Sequence, residues 1–152
     1  MNTLLWLSFF FAPPPHHTTC QASGVPLLEI RERAEIAMPT STTTIYASGA
    51  WTYVPVDQDG TRGAIERGCF DRDELREIRK AVQRAPWRVT VSRIACFAYD
   101  PTFTEYRVHG KLRFTERMCS GKTADADTMD AIELVKQRIA NERALHDPAP
   151  VR

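Results

Sequence analysis

The sequence predicts an α+β domain in which an antiparallel sheet of three to five strands carries two helices packed on one face, in the order β-α-β-β-α. Some segments alternate apolar and polar residues, which is typical of half-buried strands, and two others space their apolar residues as helices do. Turn signals rich in Pro, Gly and Asp separate them. With 152 residues, 43% of them hydrophobic and 26% charged, the chain is long enough for one modest core.

The N-terminal 19 residues have the pattern of an export leader. Leu4–Ala12 is a mostly apolar run, and Pro13–Pro15 follows it. Its length fits the apolar part of a signal peptide and is too short to span a bilayer. We therefore expect export to the periplasm, the cell envelope or the extracellular space. Cys20 is a candidate for lipidation, which would be the chain's attachment to a membrane. A hydrophobic tail or a wrongly assigned start codon is the alternative.

The rest of the chain divides by composition into a tether, a domain and a tail. Leu27–Ile36 fits a strand and a short helix equally well, because its apolar spacing matches both periods. The predicted boundaries are a signal peptide or apolar leader at 1–19, a tether and edge strand at 20–41, a single α+β domain at 42–143 and a disordered tail at 144–152.

The clearest strand signal lies between residues 44 and 53. Ile45, Trp51 and Tyr53 fall on one parity, and Tyr46 falls on the other. Alternation of β-branched and aromatic residues with polar ones predicts one half-buried strand. The aromatic residues expected in the core are Trp51, Trp87 and Phe114.

Helical periodicity appears twice. The first helix is expected to begin after Cys69 with Asp71 or Asp73 as its N-cap, and Pro86 ends it. The second is expected to begin in the acid-rich segment Thr123–Asp127. The apolar stripes are Leu75, Ile78, Ala81 and Val82 in the first helix and Met129, Ile132, Val135 and Ile139 in the second.

Two strands are predicted between the helices. The earlier one, Trp87–Tyr99, changes parity near Ser92, which indicates a β-bulge. The later one runs from Tyr106 to Phe114. If the loop Asp100–Thr104 joins the two, their apolar faces agree, with Ala98 opposite Tyr106 and Val89 opposite Phe114. A hairpin that turns at His109-Gly110 is the alternative.

The cysteines allow more than one pairing. The first arrangement of strands places Cys69 and Cys96 within disulfide reach, and this is the preferred bridge. The alternative hairpin brings Cys119 towards Cys96 instead. The disulfide candidates are therefore Cys69, Cys96 and Cys119, and the remaining cysteine pairs with Cys20, pairs between chains or stays a buried thiol.

No complete catalytic constellation is visible in the sequence. Ser120–Thr123 lies between a strand and a helix as a phosphate-binding loop does, but Glu116 stands where that motif needs glycine. The cysteines lack zinc-ligand spacing, and a net charge of +1 gives no footprint for nucleic acid. We expect no cofactor, no metal and no nucleic-acid partner.

Four residues are candidates for contact with another protein. Tyr46 and Phe97 fall on the face opposite the predicted core, and Pro101 and Phe103 lie in the predicted loop. The alternative is that Leu27–Ile36 covers that face. The expected function is a non-catalytic binding module, and a thiol-dependent enzyme that uses Cys119 or another free thiol together with a histidine is an alternative.

A resemblance supplies a further alternative, a secreted protease-inhibitor-like domain. Between Gly68 and Cys119 the chain has the order cysteine, helix, strand with cysteine, and glycine-interrupted strand ending in cysteine. This order resembles the subtilisin-inhibitor-like secreted protease inhibitors. The resemblance implies a reactive loop beside a cysteine, and Asp100–Thr104 is the loop that the inhibitor hypothesis would use.

Overall fold

The computed structural model describes residues 20–34, 40–57, 59–91, 102–117 and 121–146. These residues form eight strands and two helices. The elements are β1 (Pro26–Ala34), β2 (Thr40–Tyr46), β3 (Ala50–Val56), β4 (Glu66–Cys69), α1 (Arg72–Arg84), β5 (Val89–Val91), β6 (Thr102–Val108), β7 (Lys111–Arg117), β8 (Lys122–Ala124) and α2 (Ala126–His146).

The α+β class with an antiparallel sheet and two helices is confirmed. The main sheet has six strands in the order β4-β3-β2-β1-β6-β7, and β5 pairs with β8 in a small second sheet. The predicted strand count and element order are wrong, because four strands precede α1 instead of one. The number of strands was underestimated because some hairpin turns do not interrupt the alternation of apolar and polar residues along the sequence.

The first hidden hairpin is the turn between β2 and β3. Ile45 pairs with Trp51, so the two partners have the same parity and the alternation continues through the turn. Gly49 adopts a φ of 90°, which glycine favours, and its N–H donates to the Tyr46 carbonyl at 3.0 Å. The segment predicted as one strand is therefore two strands.

Strand β1 lies inside the sheet. It pairs with β2 on one side and with β6 on the other, with Leu28 facing Ile45 and Val108. The prediction that residues 20–41 form a tether and an edge strand is therefore wrong for β1. The alternative that Leu27–Ile36 covers the opposite sheet face is also wrong for its described part, because β1 is itself part of the sheet.

The second hidden hairpin joins β6 to β7. His109 and Gly110 have φ angles of 50° and 75°, as a two-residue turn between antiparallel strands requires. Tyr106 pairs with Phe114, and their rings stack with centroids 4.7 Å apart. The alternative hairpin at His109-Gly110 is thus confirmed, and the preferred pairing of this strand with Trp87–Tyr99 is wrong. Leu112 lies opposite Arg107 and is 48% exposed.

Trp87 packs at the junction of the two helices. Its indole N–H donates to the Val82 carbonyl at 2.8 Å, and its backbone N–H donates to the Thr128 hydroxyl at 3.0 Å. The chain then enters β5, which pairs with β8. The predicted bulge near Ser92 lies outside the described residues.

Both predicted helices are present. Asp71 caps α1 in a capping box with Glu74, and α2 extends to His146, beyond the predicted domain boundary at residue 143. Arg138 of α2 contacts Glu74 at 3.4 Å and Glu77 at 2.6 Å, which ties the helices together. The predicted stripe residue Met129 is 38% exposed. The buried stripe residues are Ile78, Val82, Ile132, Val135 and Ile139.

The core lies between the helices and one face of the main sheet. Leu28, Ile45 and Trp51 belong to the same buried cluster as Ile78 of α1 and Val135 of α2. Trp51, Trp87 and Phe114 are all buried, as predicted. We call the opposite side the helix-free face. Its side chains include Glu29, Arg31, Arg33, Thr40, Thr42, Thr44, Thr52, Val54, Val56, Arg67, Phe103, Glu105 and Arg107. Within the described ranges, neither helix is long and apolar enough to cross a membrane.

Candidate functional site

The two described partner-contact candidates both lie on the helix-free face, but far apart. Tyr46 is half-buried opposite Pro26, and Phe103 is half-buried opposite Arg33. Pro26 and Arg33 are seven positions apart along β1, a distance of about 23 Å along an extended strand. They therefore do not form a single patch.

Phe103 does not lie in a loop as predicted. It belongs to β6, which has β1 and β7 as neighbours. The Arg117 guanidinium lies over its ring, 5.8 Å from the centroid. The ring is therefore half of a cation–π pair on a sheet surface, not an anchor on a projecting loop. The other two candidates, Phe97 and Pro101, lie outside the described residues.

Cys69 forms a disulfide with Cys20, with their Cα atoms 6.0 Å apart. The preferred pairing of Cys69 with Cys96 is therefore wrong, and the pairing with Cys20 that the sequence left open is the one found. The reason is topological, since β1 begins and β4 ends at the same end of the sheet after four antiparallel strands. Cys96 and Cys119 lie outside the described residues.

The disulfide bears on the lipidation candidate. A sulfur atom bonded to Cys69 cannot also carry a thioether-linked lipid, so the two states of Cys20 exclude each other. Ser48 adds a second link at this end of the sheet, because its hydroxyl donates to the Gln21 carbonyl at 2.6 Å. The chain from Cys20 to β1 is thus attached to the sheet at two points.

A ladder of opposite charges crosses β1 and β6 on the helix-free face. Arg31 pairs with Glu29, and Arg33 lies 3.8 Å from Glu105. Arg107 lies 3.9 Å from Glu29 and 3.7 Å from Glu105, so it shares both carboxylates. The glutamate side chains are only 14% and 17% exposed. Such shielded carboxylates interact with their arginines more strongly than fully hydrated ones do, which restrains all five side chains.

A cavity of about 500 Å³ lies beside this ladder on the helix-free face. Its walls come from the end of β1, the beginning of β2, the end of β3 and the loop that follows β3. The lining residues are Arg31, Glu32, Arg33, Thr40, Thr42, Val54, Val56, Gly60 and Arg62.

The loop after β3 is folded back by short-range hydrogen bonds. Asp57 donates its N–H to the Thr61 carbonyl at 2.9 Å, and Thr61 donates its N–H to the Asp59 carboxylate at 2.8 Å. The bond from the Thr61 backbone lowers the pKa of Asp59 below its ordinary value. Arg62 then forms a backbone bridge with Val56, which brings its long side chain to the rim of the cavity.

The charges that line the cavity are only partly compensated. Glu32 is engaged elsewhere, because its carboxylate accepts from Ser41 at 2.6 Å and lies 3.6 Å from Lys136. Arg31 and Arg33 have the ladder carboxylates as partners. Among the described residues, no carboxylate pairs with Arg62. The cavity therefore has an excess of positive charge, which favours an anionic ligand.

The lining has the chemistry of a binding site. Guanidinium groups, threonine hydroxyls and valine methyl groups can hold an anion with an apolar part, but none of them is an activated nucleophile. In the described part of the chain, no cluster of three or more His, Cys, Asp or Glu residues could hold a metal ion.

Sequence reasoning missed every residue of this cavity. Arg31 and Arg33 have the same parity as Glu29, and such a mixture of charges normally marks a solvated strand face. The only available signal was the threonine run of β2 at residues 40–44, whose alternate hydroxyls must fall on one face of a strand.

Comparison with protein-family models, with curated proteins and with solved structures found no match to this chain. The case for its function therefore depends on the geometry described above.

Proposed function

We propose that this protein is an exported, non-catalytic binding module of the periplasm, cell envelope or secreted fraction, and that it contacts another protein through its helix-free face. The observation that carries this proposal is the cavity of about 500 Å³ on the sheet face that neither helix covers. Volumes of this size are typical of ligand sites. The lining here is mostly charged and polar, and two valine side chains supply its apolar part.

Export is supported by the disulfide and by the leader pattern. Structural disulfides persist in oxidising compartments and are rare in the cytosol. The Cys20–Cys69 bond closes a loop with a sequence separation of 49, and Cys20 directly follows the apolar leader pattern at 1–19. A bond at that position suits a chain that folds after leaving the cytosol.

The two alternative functions receive less support. The inhibitor hypothesis used Asp100–Thr104 as a loop, but Thr102–Thr104 lies in β6, an interior strand of the sheet. A reactive loop must be accessible to a protease, and an interior strand is not. The thiol-enzyme hypothesis can no longer use Cys69, because a disulfide has no free thiolate to act as the nucleophile. Its first candidate, Cys119, lies outside the described residues.

Export is tested by fractionating cells of the natural host that express the untagged chain, followed by intact mass measurement without reduction. We expect the chain in an exported fraction, without residues 1–19 and with the Cys20–Cys69 bond formed. A full-length, reduced chain in the cytosol would contradict the proposal.

Partner contact is tested by photo-crosslinking in the same cells. A photoreactive amino acid at Phe103, which lies on the helix-free face opposite the lining residue Arg33, is compared with one at Lys80, an exposed position on α1. We expect discrete crosslinked proteins from the first position and none of them from the second. Equal crosslinking from both positions, or none from either, would contradict the assignment of this face.

A further inference from the structure

We propose that the cavity on the helix-free face binds a carboxylate attached to a small apolar group. A polypeptide C terminus ending in an aliphatic residue has this chemistry, and so does a short organic acid. The inference rests on the proposed function for the location of the ligand, and it adds the chemical class of the group that is bound.

The charges of the lining select an anion. Arg31 and Arg33 come from β1, and Arg62 comes from the loop after β3, so guanidinium groups stand on both sides of the cavity. Adjacent strands lie about 4.8 Å apart, which puts β1 and β3 about 10 Å from each other. Long arginine side chains can reach across this width to one small group between them.

The arginines also favour a carboxylate in particular. Arg31 and Arg33 already engage the carboxylates of Glu29 and Glu105, so these guanidinium groups are restrained by carboxylate partners before a ligand arrives. Arg62 has no such partner among the described residues, so it adds a positive charge to the lining that no described carboxylate compensates. The planar guanidinium fork fits the two oxygens of a carboxylate.

The floor of the cavity favours a ligand with an apolar part. Thr40 pairs with Val56 and Thr42 pairs with Val54, so two hydroxyl groups lie next to two valine side chains on the same sheet face. The hydroxyls can donate to carboxylate oxygens, and the valines offer apolar surface for an aliphatic group. A bare inorganic anion would leave that apolar surface unused.

The test uses the full oxidised chain and measures binding by calorimetry and by amide chemical shifts. The probes are N-acetyl-valine, an acetylated tetrapeptide ending in valine, the C-terminal amides of both, and inorganic phosphate. We expect both carboxylates to bind with shifts at Thr42 and Val54, and the amides to bind about tenfold more weakly, because a hydrogen bond to a charged group is lost. Tighter binding of the peptide identifies a polypeptide C terminus as the source, and equal binding identifies a small organic acid.

Variants separate the role of the cavity from a general charge effect. Arg62→Gln should weaken binding of N-acetyl-valine about tenfold. The matched control Arg67→Gln removes the same charge from an exposed position on the same face, outside the cavity, and should change the affinity less than about twofold. Both residues are exposed, and urea unfolding verifies that each variant is folded.

Three results would overturn the inference: amides that bind as tightly as carboxylates, phosphate that binds as tightly as N-acetyl-valine, or equal losses in the two arginine variants. Each is distinguishable from failure of the proposed function. If carboxylates fail to bind but the photoreactive amino acid at position 103 still crosslinks to an exported protein, only the ligand class is wrong. If carboxylates bind but the chain stays in the cytosol, the proposed function is wrong.

Discussion

The Cys20–Cys69 disulfide should contribute a large share of the stability of this protein. The bond closes a loop with a sequence separation of 49. In the chain-entropy model, closing a loop of that length lowers the entropy of the unfolded chain by about 14 cal/mol/K, which is about 4 kcal/mol at 25 °C. Domains of this size unfold with free energies of about 5–15 kcal/mol, so loss of the disulfide should remove a large fraction of the stability.

The perturbation is the double replacement Cys20→Ser with Cys69→Ser, measured by urea unfolding under non-reducing conditions at neutral pH. With a slope of about 2 kcal/mol per M, a loss of about 4 kcal/mol lowers the urea midpoint by about 2 M. Reducing the parent chain should lower its midpoint by a similar amount. Reduction should then have little effect on the double variant.

Two results would refute this reasoning. The first is a loss below about 1 kcal/mol in the double variant, which would mean that the sheet holds the chain ends together without the bond. The second is a peptide map that pairs Cys69 with another cysteine. A lipid on Cys20 in the mature chain would also refute the prediction, because the Cys20 sulfur could not then form a disulfide with Cys69.

Three further predictions concern packing and capping. Gly68→Ala should destabilise the fold by about 1–3 kcal/mol in urea unfolding. The added Cβ would lie 2.5 Å from the buried Trp51 ring, which is too close for an unstrained contact. Unchanged stability would contradict this packing. Thr128→Val should lower the free energy of unfolding by about 1–3 kcal/mol in the same assay. The fully buried Thr128 hydroxyl accepts a hydrogen bond from the Trp87 backbone N–H and donates one to Asp125, and valine can form neither. A change within experimental error would show that these hydrogen bonds contribute little. Asp125→Ala should lower the free energy of unfolding by about 1 kcal/mol, because Asp125 accepts a hydrogen bond from the Thr128 N–H at the start of α2. The variant should also lose less stability than the parent chain when the pH is lowered. Burial opposes ionisation of Asp125, but hydrogen bonds from the Thr128 N–H and hydroxyl and from the Arg88 N–H lower its pKa. The contribution of Asp125 to the free energy of unfolding is therefore complete above its unfolded-state pKa, and it disappears as the pH falls through its lower folded-state pKa. If the variant and the parent chain lose the same stability in acid, Asp125 is not a source of the acid sensitivity.

The two helices were predictable because their local signals are complete. Asp71 provides a cap, Ile78 and Val82 recur at helical spacing, and Pro86 follows the end of α1. None of these signals depends on residues distant in the chain. Helical periodicity therefore located α1 and α2 without any knowledge of the sheet.

The strands were harder to predict because alternation does not reveal every turn. Ile45 pairs with Trp51, and Tyr106 pairs with Phe114 across a hairpin with a bulge, so partners have equal parity in both cases. A turn of this kind keeps the apolar residues on one face without a break in the pattern. Only the glycines at 49 and 110 mark the turns, and a glycine inside a strand pattern is equally typical of a bulge or of a close backbone approach.

The site was not predictable because it depends on strand order. Arg31 and Arg62 are 31 positions apart in the sequence, and they line one cavity only because β1, β2 and β3 are neighbours. Nothing in the local pattern of either residue distinguishes it from an ordinary surface arginine. Charge and cavity become visible together only when the strand order is known.

The same strand order couples the cavity to the disulfide. Every lining residue, from Arg31 to Arg62, lies within the loop that Cys20 and Cys69 close. The bond holds β4, a four-residue strand at the edge of the described sheet, where β3 is its one described neighbour. The loop bearing Arg62 connects these two strands. Reduction should allow β4 to open more often and should loosen Arg62, while β1 and β2 stay in place. Affinity for N-acetyl-valine should therefore fall on reduction at temperatures where the chain is still folded, and an unchanged affinity would show that the loop is held by its own hydrogen bonds.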